Sequence, residues 1–189
     1  MRTKKSNDVT LTEALIRRWA QEYVSRWYTP TDAVRASLWR RAEKRLQADG
    51  SARSAVRQWI EATLSELTKA GALDDHRWAR DKAEALLRRG TSPRAIAQRL
   101  RAKRLDDAII AQAVAALSSP DDETTIDPAW QAAVAYARRR RFGPFARAND
   151  NRERRKQLAS MARAGHSYGH AVRIIDAPSV EEIEDDPLG

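Results

Sequence analysis

An all-helical fold is what this sequence predicts, and three observations predict it. Glycine and proline number only seven each among 189 residues, well under average usage, while strong helix formers abound: 34 alanines and 28 arginines against seven lysines. Apolar residues recur every three or four positions almost throughout, and no run of four or more alternating β-branched residues competes with them. Helix punctuation sits between these stretches. Thr29-Pro30, Ser92-Pro93 and Asp127-Pro128 each set a capping residue before a proline suited to a first turn. Gly50, Gly71, Gly90 and Gly165 each follow a helix-like run, where a left-handed terminating residue is expected.

The stripes follow in chain order. Leu15, Trp19, Tyr23 and Trp27 form the first, and Val34, Leu38, Trp39, Ala42 and Leu46 the second. Val56, Ile60, Leu64 and Leu67 give a third; Trp78, Ala79, Ala83, Leu86 and Leu87 a fourth. Ile96 and Leu100 are followed by Ile109, Ile110, Ala113, Val114 and Leu117, then by Trp130, Ala133, Val134 and Ala137. Leu158 with Met161, and Ala171, Val172, Ile174 and Ile175, end the series. About nine helices result. Several carry barely two apolar turns and need neighbours to be stable. The tryptophans on these stripes, Trp19, Trp59 and Trp78 above all, are expected as core anchors.

The helices recur in groups. With Tyr28, Gly90 and Gly165 aligned, arginine stands two residues earlier each time, as Arg26, Arg88 and Arg163. Val24, Leu86 and Met161 stand four earlier; Pro30, Ser92 and Ser167 two later; Val34, Ile96 and Ala171 six later; Leu38, Leu100 and Ile175 ten later. Leu73-Asp74-Asp75 is echoed by Leu105-Asp106-Asp107, each opening a helix. Three tandem three-helix repeats are expected, at residues 11–71, 74–118 and 128–177, stacked as an elongated, curved array. A flexible basic N-terminus (1–10), a polar linker (119–127), an irregular insertion (142–151) and an acidic tail (178–189) complete the plan.

Composition bounds function. Lys and Arg total 35 against 26 Asp and Glu, a formal net charge of +9, which makes a polyanion the first partner to consider. The absence of cysteine removes disulfides, zinc-thiolate sites and thiol nucleophiles. The longest apolar run, Ala132 to Ala137, is six residues, far short of a membrane span, and no secretory signal follows Met1. The expectation is a soluble cytoplasmic protein, monomeric, without membrane contact.

The run Gly71-Ala72-Leu73-Asp74-Asp75-His76-Arg77-Trp78-Ala79 resembles the G-x-L-D-D-x-x-[FY]-A signature of the regulatory protein RecX family, and Gly165-His166-Ser167-Tyr168 resembles its final G-F-S-Y turn. Arg138-Arg139-Arg140-Arg141-Phe142-Gly143-Pro144-Phe145 is similar to the third repeat of its proteobacterial members. The likeness covers roughly residues 11–177. Trp78 replaces the usual phenylalanine or tyrosine, and His166 the usual phenylalanine. The signature residues Gly71, Leu73, Asp74, Asp75, Trp78, Ala79, Gly165, Ser167 and Tyr168 are expected to be structural. What the resemblance implies is a negative modulator of RecA recombinase, acting in recombination, DNA repair and the SOS response. Such a protein binds the RecA filament on single-stranded DNA, lowers its ATPase and strand-exchange activities, and is not an enzyme.

Candidate contact residues are basic. The segment Arg138–Lys156 holds nine basic and two acidic residues, with Arg138, Arg139, Arg140, Arg141, Arg147, Arg152, Arg154, Arg155 and Lys156 available to phosphates or an acidic filament surface. Phe142 and Phe145 within it are candidates to stack on bases or to pack on a protein. A second cluster is Arg88, Arg89, Arg94, Arg99, Arg101, Lys103 and Arg104; Arg94, Arg101 and Arg104 share one helical face opposite Ile96 and Leu100, for partner contact or for plain solvation. Arg26, Arg88 and Arg163 near predicted helix ends read as cations complementing the helix dipole. Asp74-Asp75 reads as a cap rather than a catalytic or metal-binding pair. His166 and His170 do not make a metal site, and no nucleophile, base and orienter assemble. No cofactor is expected. The tail after Asp176 reads as a disordered, solubilising end, or else as a segment folding back on the basic face and competing with an anionic partner. The rival function is a sequence-nonspecific helical DNA-binding protein acting without RecA.

Overall fold

The computed structural model describes residues 11–46, 50–118, 127–147 and 153–186. The N-terminal segment, Arg152, residues 148–151 of the expected insertion and nearly all of the expected linker lie outside the described residues. Among the described residues ten α-helices, one 3-10 turn and no strand are found: α1 (Glu13–Val24), α2 (Thr31–Glu43), α3 (Gly50–Lys69), α4 (Asp75–Arg88), α5 (Pro93–Arg101), α6 (Asp107–Ala115), α7 (Pro128–Arg140), the turn Gly143–Phe145, α8 (Arg154–Arg163), α9 (Tyr168–Ile175) and α10 (Val180–Glu184). The chain divides into two compact units, the first ending at Trp78 and the second beginning at Ala79, inside α4.

In the first unit α1, α2 and α3 pack pairwise. Their stripes meet as a core of Leu15, Ile16, Trp19, Val34, Leu38, Val56, Ile60 and Leu64, joined by Leu73 from beyond the α3 terminus. Each such side chain contributes about 1.5–3 kcal/mol on burial. Trp59 and Trp39 are half-buried at the edge of this core. Ion pairs frame it at the surface: Arg17 reaches Glu66 with two hydrogen bonds of 3.0 and 3.1 Å, and Arg35 reaches Glu61 at 2.7 and 3.1 Å.

Several local expectations need correction here. Helix α1 stops at Val24, so Trp27 leaves the stripe and is 62% exposed, and Arg26 lies beyond the helix instead of in its last turn. Gly50 opens α3 and does not terminate α2, which ends at Glu43. Thr29 does not cap α2. Pro30 holds the N-cap position and, having no side-chain donor or acceptor, leaves the first amides of the helix uncapped from within. The missing acceptor comes from far along the chain. Asp75 Oδ1 accepts from the Thr31 amide at 2.8 Å and from its hydroxyl at 3.1 Å. Asp74 caps α4 itself, accepting from the Arg77 amide at 2.9 Å. Three residues after Asp75, Trp78 Nε1 donates to the Tyr28 carbonyl at 3.3 Å. The adjacent aspartates therefore serve two different helices, and the signature run fastens the start of α2 to the start of α4.

In the second unit α5 packs on α6, and α7, α8 and α9 pack around Trp130, Ala133, Tyr136, Ala137, Met161, Ala171 and Ile174. The fully buried residue at the end of α9 is Ile174; the aligned Ile175 is only half-buried. Ser92, Asp106, Asp127 and Ser167 cap α5, α6, α7 and α9, accepting from the amides of Ala95, Ala108, Ala129 and His170 at 2.8–3.3 Å. The Ser92 hydroxyl also donates to the Ala164 carbonyl at 3.1 Å, tying the start of α5 to the end of α8.

Two further expectations fail in this unit. Phe142 is 4% exposed with its ring edge-on to Tyr136, so it is not offered to a nucleobase, and Phe145 is half-buried under the Arg138 guanidinium. The acidic tail is ordered through Asp186. Ser179 caps α10, accepting from the Glu182 amide at 3.3 Å, and Ile183 is buried in the core that contains Trp130. One apolar residue supplies the anchor, and Glu184 and Asp186 pair with Arg138 and Arg173. The acidic end folds back on a basic helix.

Candidate partner and nucleic-acid surface

Each described candidate cation is solvent-exposed. Their company differs. Arg88, the last residue of α4, pairs with Glu84 at 3.8 Å, and Arg101, the last of α5, with Asp107 at 3.0 Å. Arg94 lies in the first turn of α5, Arg89 directly follows α4, and Lys103 follows α5. Arg104 is outside α5 with φ +58°, so it does not extend the face shared by Arg94 and Arg101. Arg154 makes two hydrogen bonds of 2.5 and 2.6 Å to Asp176, and Lys156 pairs with Glu153 at 3.5 Å. Arg147 and Arg155 are exposed. Exposed pairs of this kind contribute about 1 kcal/mol or less and exchange readily for another anion.

The arginines closing α7 divide between two sides of that helix. Arg138 stands over the Phe145 ring and donates to Glu184 of α10, beside a groove lined by Trp130, Val134, Ile183 and Asp186. Arg139 and Arg140 lie over the opposite face, each 5.6 Å from the Tyr136 ring centroid. Arg141 closes the helix in the left-handed conformation at φ +60°. Four cations at a helix C-terminus complement the partial negative charge of its free carbonyls.

On the Tyr136 side a second groove, about 360 Å³, is lined by Gly90, Thr91, Gln98, Arg99, Tyr136, Arg139 and Arg163 among others. The sequence predicts Arg139 as a contact residue, places Arg99 in the second basic cluster, for partner contact or solvation, and marks Arg163 as a cation for the helix dipole. Arg163 is indeed the last residue of α8. Below the groove His166 is 7% exposed and packs its ring against Tyr136 at 5.0 Å between centroids. Burial pushes its pKa down to about 4; the nearby Gly90 backbone offsets this in part, and His170 adds to it. Neither His166 ring nitrogen has a partner at hydrogen-bond geometry. It is a neutral core residue.

The signature residues are placed as follows. Gly71 and Gly165 adopt positive φ, Leu73, Trp78 and Ala79 are buried, Asp74, Asp75 and Ser167 cap helices, and Tyr168, the first residue of α9, is 71% exposed. Among the described residues no group of three or more His, Cys, Asp or Glu is placed to hold a metal, and no helix is long and apolar enough to cross a membrane.

Residues 74–114, spanning most of α4 through α6, match the family model for the second three-helix domain of RecX. The chain is 34% identical over 160 residues to the regulatory protein RecX of Myxococcus xanthus, covering 84% of this chain and 82% of that one. It belongs to the RecX regulatory protein family. A RecX of Agrobacterium fabrum is 30% identical over 153 residues, covering 80% and 76%, and one of Halorhodospira halophila is 30% identical over 131 residues, covering 69% and 74%. No solved structure matches significantly. The run Gly71–Ala79 that resembles the RecX family signature is the run that carries Asp75 and Trp78, the two residues that fasten α2 to α4.

Proposed function

We propose that this protein is a negative modulator of RecA recombinase that binds the RecA filament on single-stranded DNA and lowers its ATPase and strand-exchange activities. Family membership carries this reading, since the curated relatives are named as regulatory proteins. The exposed cations of α4, α5, α7 and α8 support it, because a nucleoprotein filament presents both phosphates and carboxylates to which guanidinium groups are suited. The protein acts by occupancy and not by chemistry, as a cytoplasmic monomer serving recombination, DNA repair and the SOS response.

The proposed organisation is three tandem three-helix repeats, residues 11–71, 74–118 and 128–177, with the acidic segment from 178 as an appendage to the third. The match of residues 74–114 to a second three-helix domain supports this plan. So does the recurrence of a positive-φ glycine two residues before a capping serine at Gly90–Ser92 and Gly165–Ser167.

The test is the single-strand-dependent ATPase of purified RecA. Addition of this protein at or below the RecA concentration is expected to slow hydrolysis, and no effect at several-fold excess overturns the reading. The rival, DNA binding without RecA, is favoured by the arginine-lined groove beside Tyr136. It predicts equal sedimentation with bare single-stranded DNA and with RecA filaments.

A further inference from the structure

We infer that the groove formed by Arg99, Arg139 and Arg163 is a phosphate site that holds the backbone of single-stranded nucleic acid and reads none of its bases. This rests on the filament reading only for the source of the phosphates. Three features of the groove carry it.

The first is its charge. Three guanidinium groups from three helices, α5, α7 and α8, line one open depression of about 360 Å³. Among the described residues none of the three has a carboxylate partner, whereas Arg101, Arg138, Arg154 and Arg173 each have one. Like charges gathered without counterions repel one another, so the groove is preorganised to gain energy from an anion.

The second is its remaining chemistry. Thr91 and Gln98 add neutral polar groups, and the Thr91 hydroxyl accepts from Arg99 Nη1 at 3.4 Å, which holds that guanidinium toward the groove. Donor-rich walls with no acid match phosphate oxygens, which accept only.

The third is the absence of a free ring. Tyr136 is 7% exposed, lies under Arg139 and Arg140, and has its hydroxyl 3.0 Å from the Ser160 hydroxyl. No base can stack there. A polymer is favoured over a small phosphate because the cations continue past the groove, with Arg140 over the same ring and Arg89 next to Gly90. Contacts confined to the backbone position a strand and carry no sequence information.

The experiment uses the full chain without RecA, so that failure of this inference and failure of the filament reading are separate results. Fluorescence anisotropy with labelled oligo-dT and oligo-dA measures affinity between 50 and 200 mM salt. The triple variant Arg99→Ala, Arg139→Ala, Arg163→Ala is expected to bind about 30-fold or more weakly, with a log–log salt slope reduced by about 2, as three lost phosphate contacts require. A charge-matched control, Arg40→Ala, Arg53→Ala, Arg57→Ala, is expected to lose less than about 3-fold. Equal loss in both variants, with circular dichroism unchanged, shows a generic charge effect and overturns the site. Inorganic phosphate and pyrophosphate as competitors are expected to act only at millimolar levels; micromolar competition assigns the groove to a small phosphate ligand instead. Unchanged DNA affinity in the triple variant overturns the proposal, and a separate sedimentation of that variant with RecA filaments, if binding is lost there, assigns the groove to protein carboxylates. A preference of more than about 3-fold between oligo-dT and oligo-dA contradicts backbone-only recognition.

Discussion

Gly90 lies directly against the backbone of Tyr136: a Cβ on Gly90 would stand 2.4 Å from the Tyr136 nitrogen and 2.7 Å from its Cα. Its φ of +72° is also one that side chains disfavour. Two penalties therefore meet at one position, and neither neighbour is a flexible side chain that can move aside. Gly90→Ala is expected to destabilise the second unit by about 3 kcal/mol or more. Gly71, at φ +71° with open space around it, isolates the backbone component. Gly71→Ala is expected to cost about 1 kcal/mol. Urea denaturation of both variants checks the contrast, and equal costs contradict the close approach.

The Asp75 carboxylate caps a helix that begins 44 residues earlier. Asp75→Ala removes the acceptor of the Thr31 amide and hydroxyl and is expected to cost about 1–2 kcal/mol. Asp75→Asn keeps an oxygen there and should recover most of the loss. Hydrogen exchange at the first amides of α2 should quicken in the alanine variant alone.

His166 gives the fold a pH dependence of known sign. Its folded pKa, about 4, is below the ordinary value of 6.5, so between these values the unfolded chain binds a proton that the folded chain does not. Stability is complete above about pH 6.5 and falls as pH drops toward 4, by about 2–3 kcal/mol in all. His166→Phe removes the titrating group and two unpartnered buried nitrogens from a site already packed on Tyr136. The variant is expected to be flatter in urea midpoint between pH 4 and 7, and more stable at pH 5. An unaltered slope would sink the assignment.

Arg138 and Arg173 are held by the acidic tail through Glu184 and Asp186. Glu184→Gln with Asp186→Asn leaves Ile183 in place and releases both cations. Binding of single-stranded DNA is expected to tighten several-fold at low salt, with the salt slope steeper by about 1. Ile183→Ala, by contrast, should chiefly destabilise the second unit, by about 2–4 kcal/mol. Unchanged affinity in the double variant removes any competition between tail and partner.

What was legible in the sequence was what neighbours along the chain decide. Ser92, Asp106, Asp127 and Ser167 cap the helices they precede because the donor lies two or three residues on. The stripes that include Val34, Ile96 and Ala171 are buried because a 3.6-residue period fixes a face. The failures have distant causes. Thr29 has the composition of a cap, but Asp75 supplies it from another helix. Trp27 keeps the four-residue spacing beyond the point where α1 has ended. Ile183 is a single apolar residue among acids, too little to form a pattern, and is fixed only by contact with the core around Trp130. The groove is the extreme case. Arg99, Arg139 and Arg163 are 40 and 24 residues apart, and each looks locally like an ordinary surface or helix-end cation.

The two sides of α7 have one more consequence. Glu184 pairs with Arg138 on one flank of α7, while among the described residues Arg139 on the other has no carboxylate partner, so the potential changes across the width of a single helix. On the proposed reading, a polyanion approaching this unit is expected to be drawn to one azimuth of α7 and turned away from the other, its docking orientation selected before any contact forms.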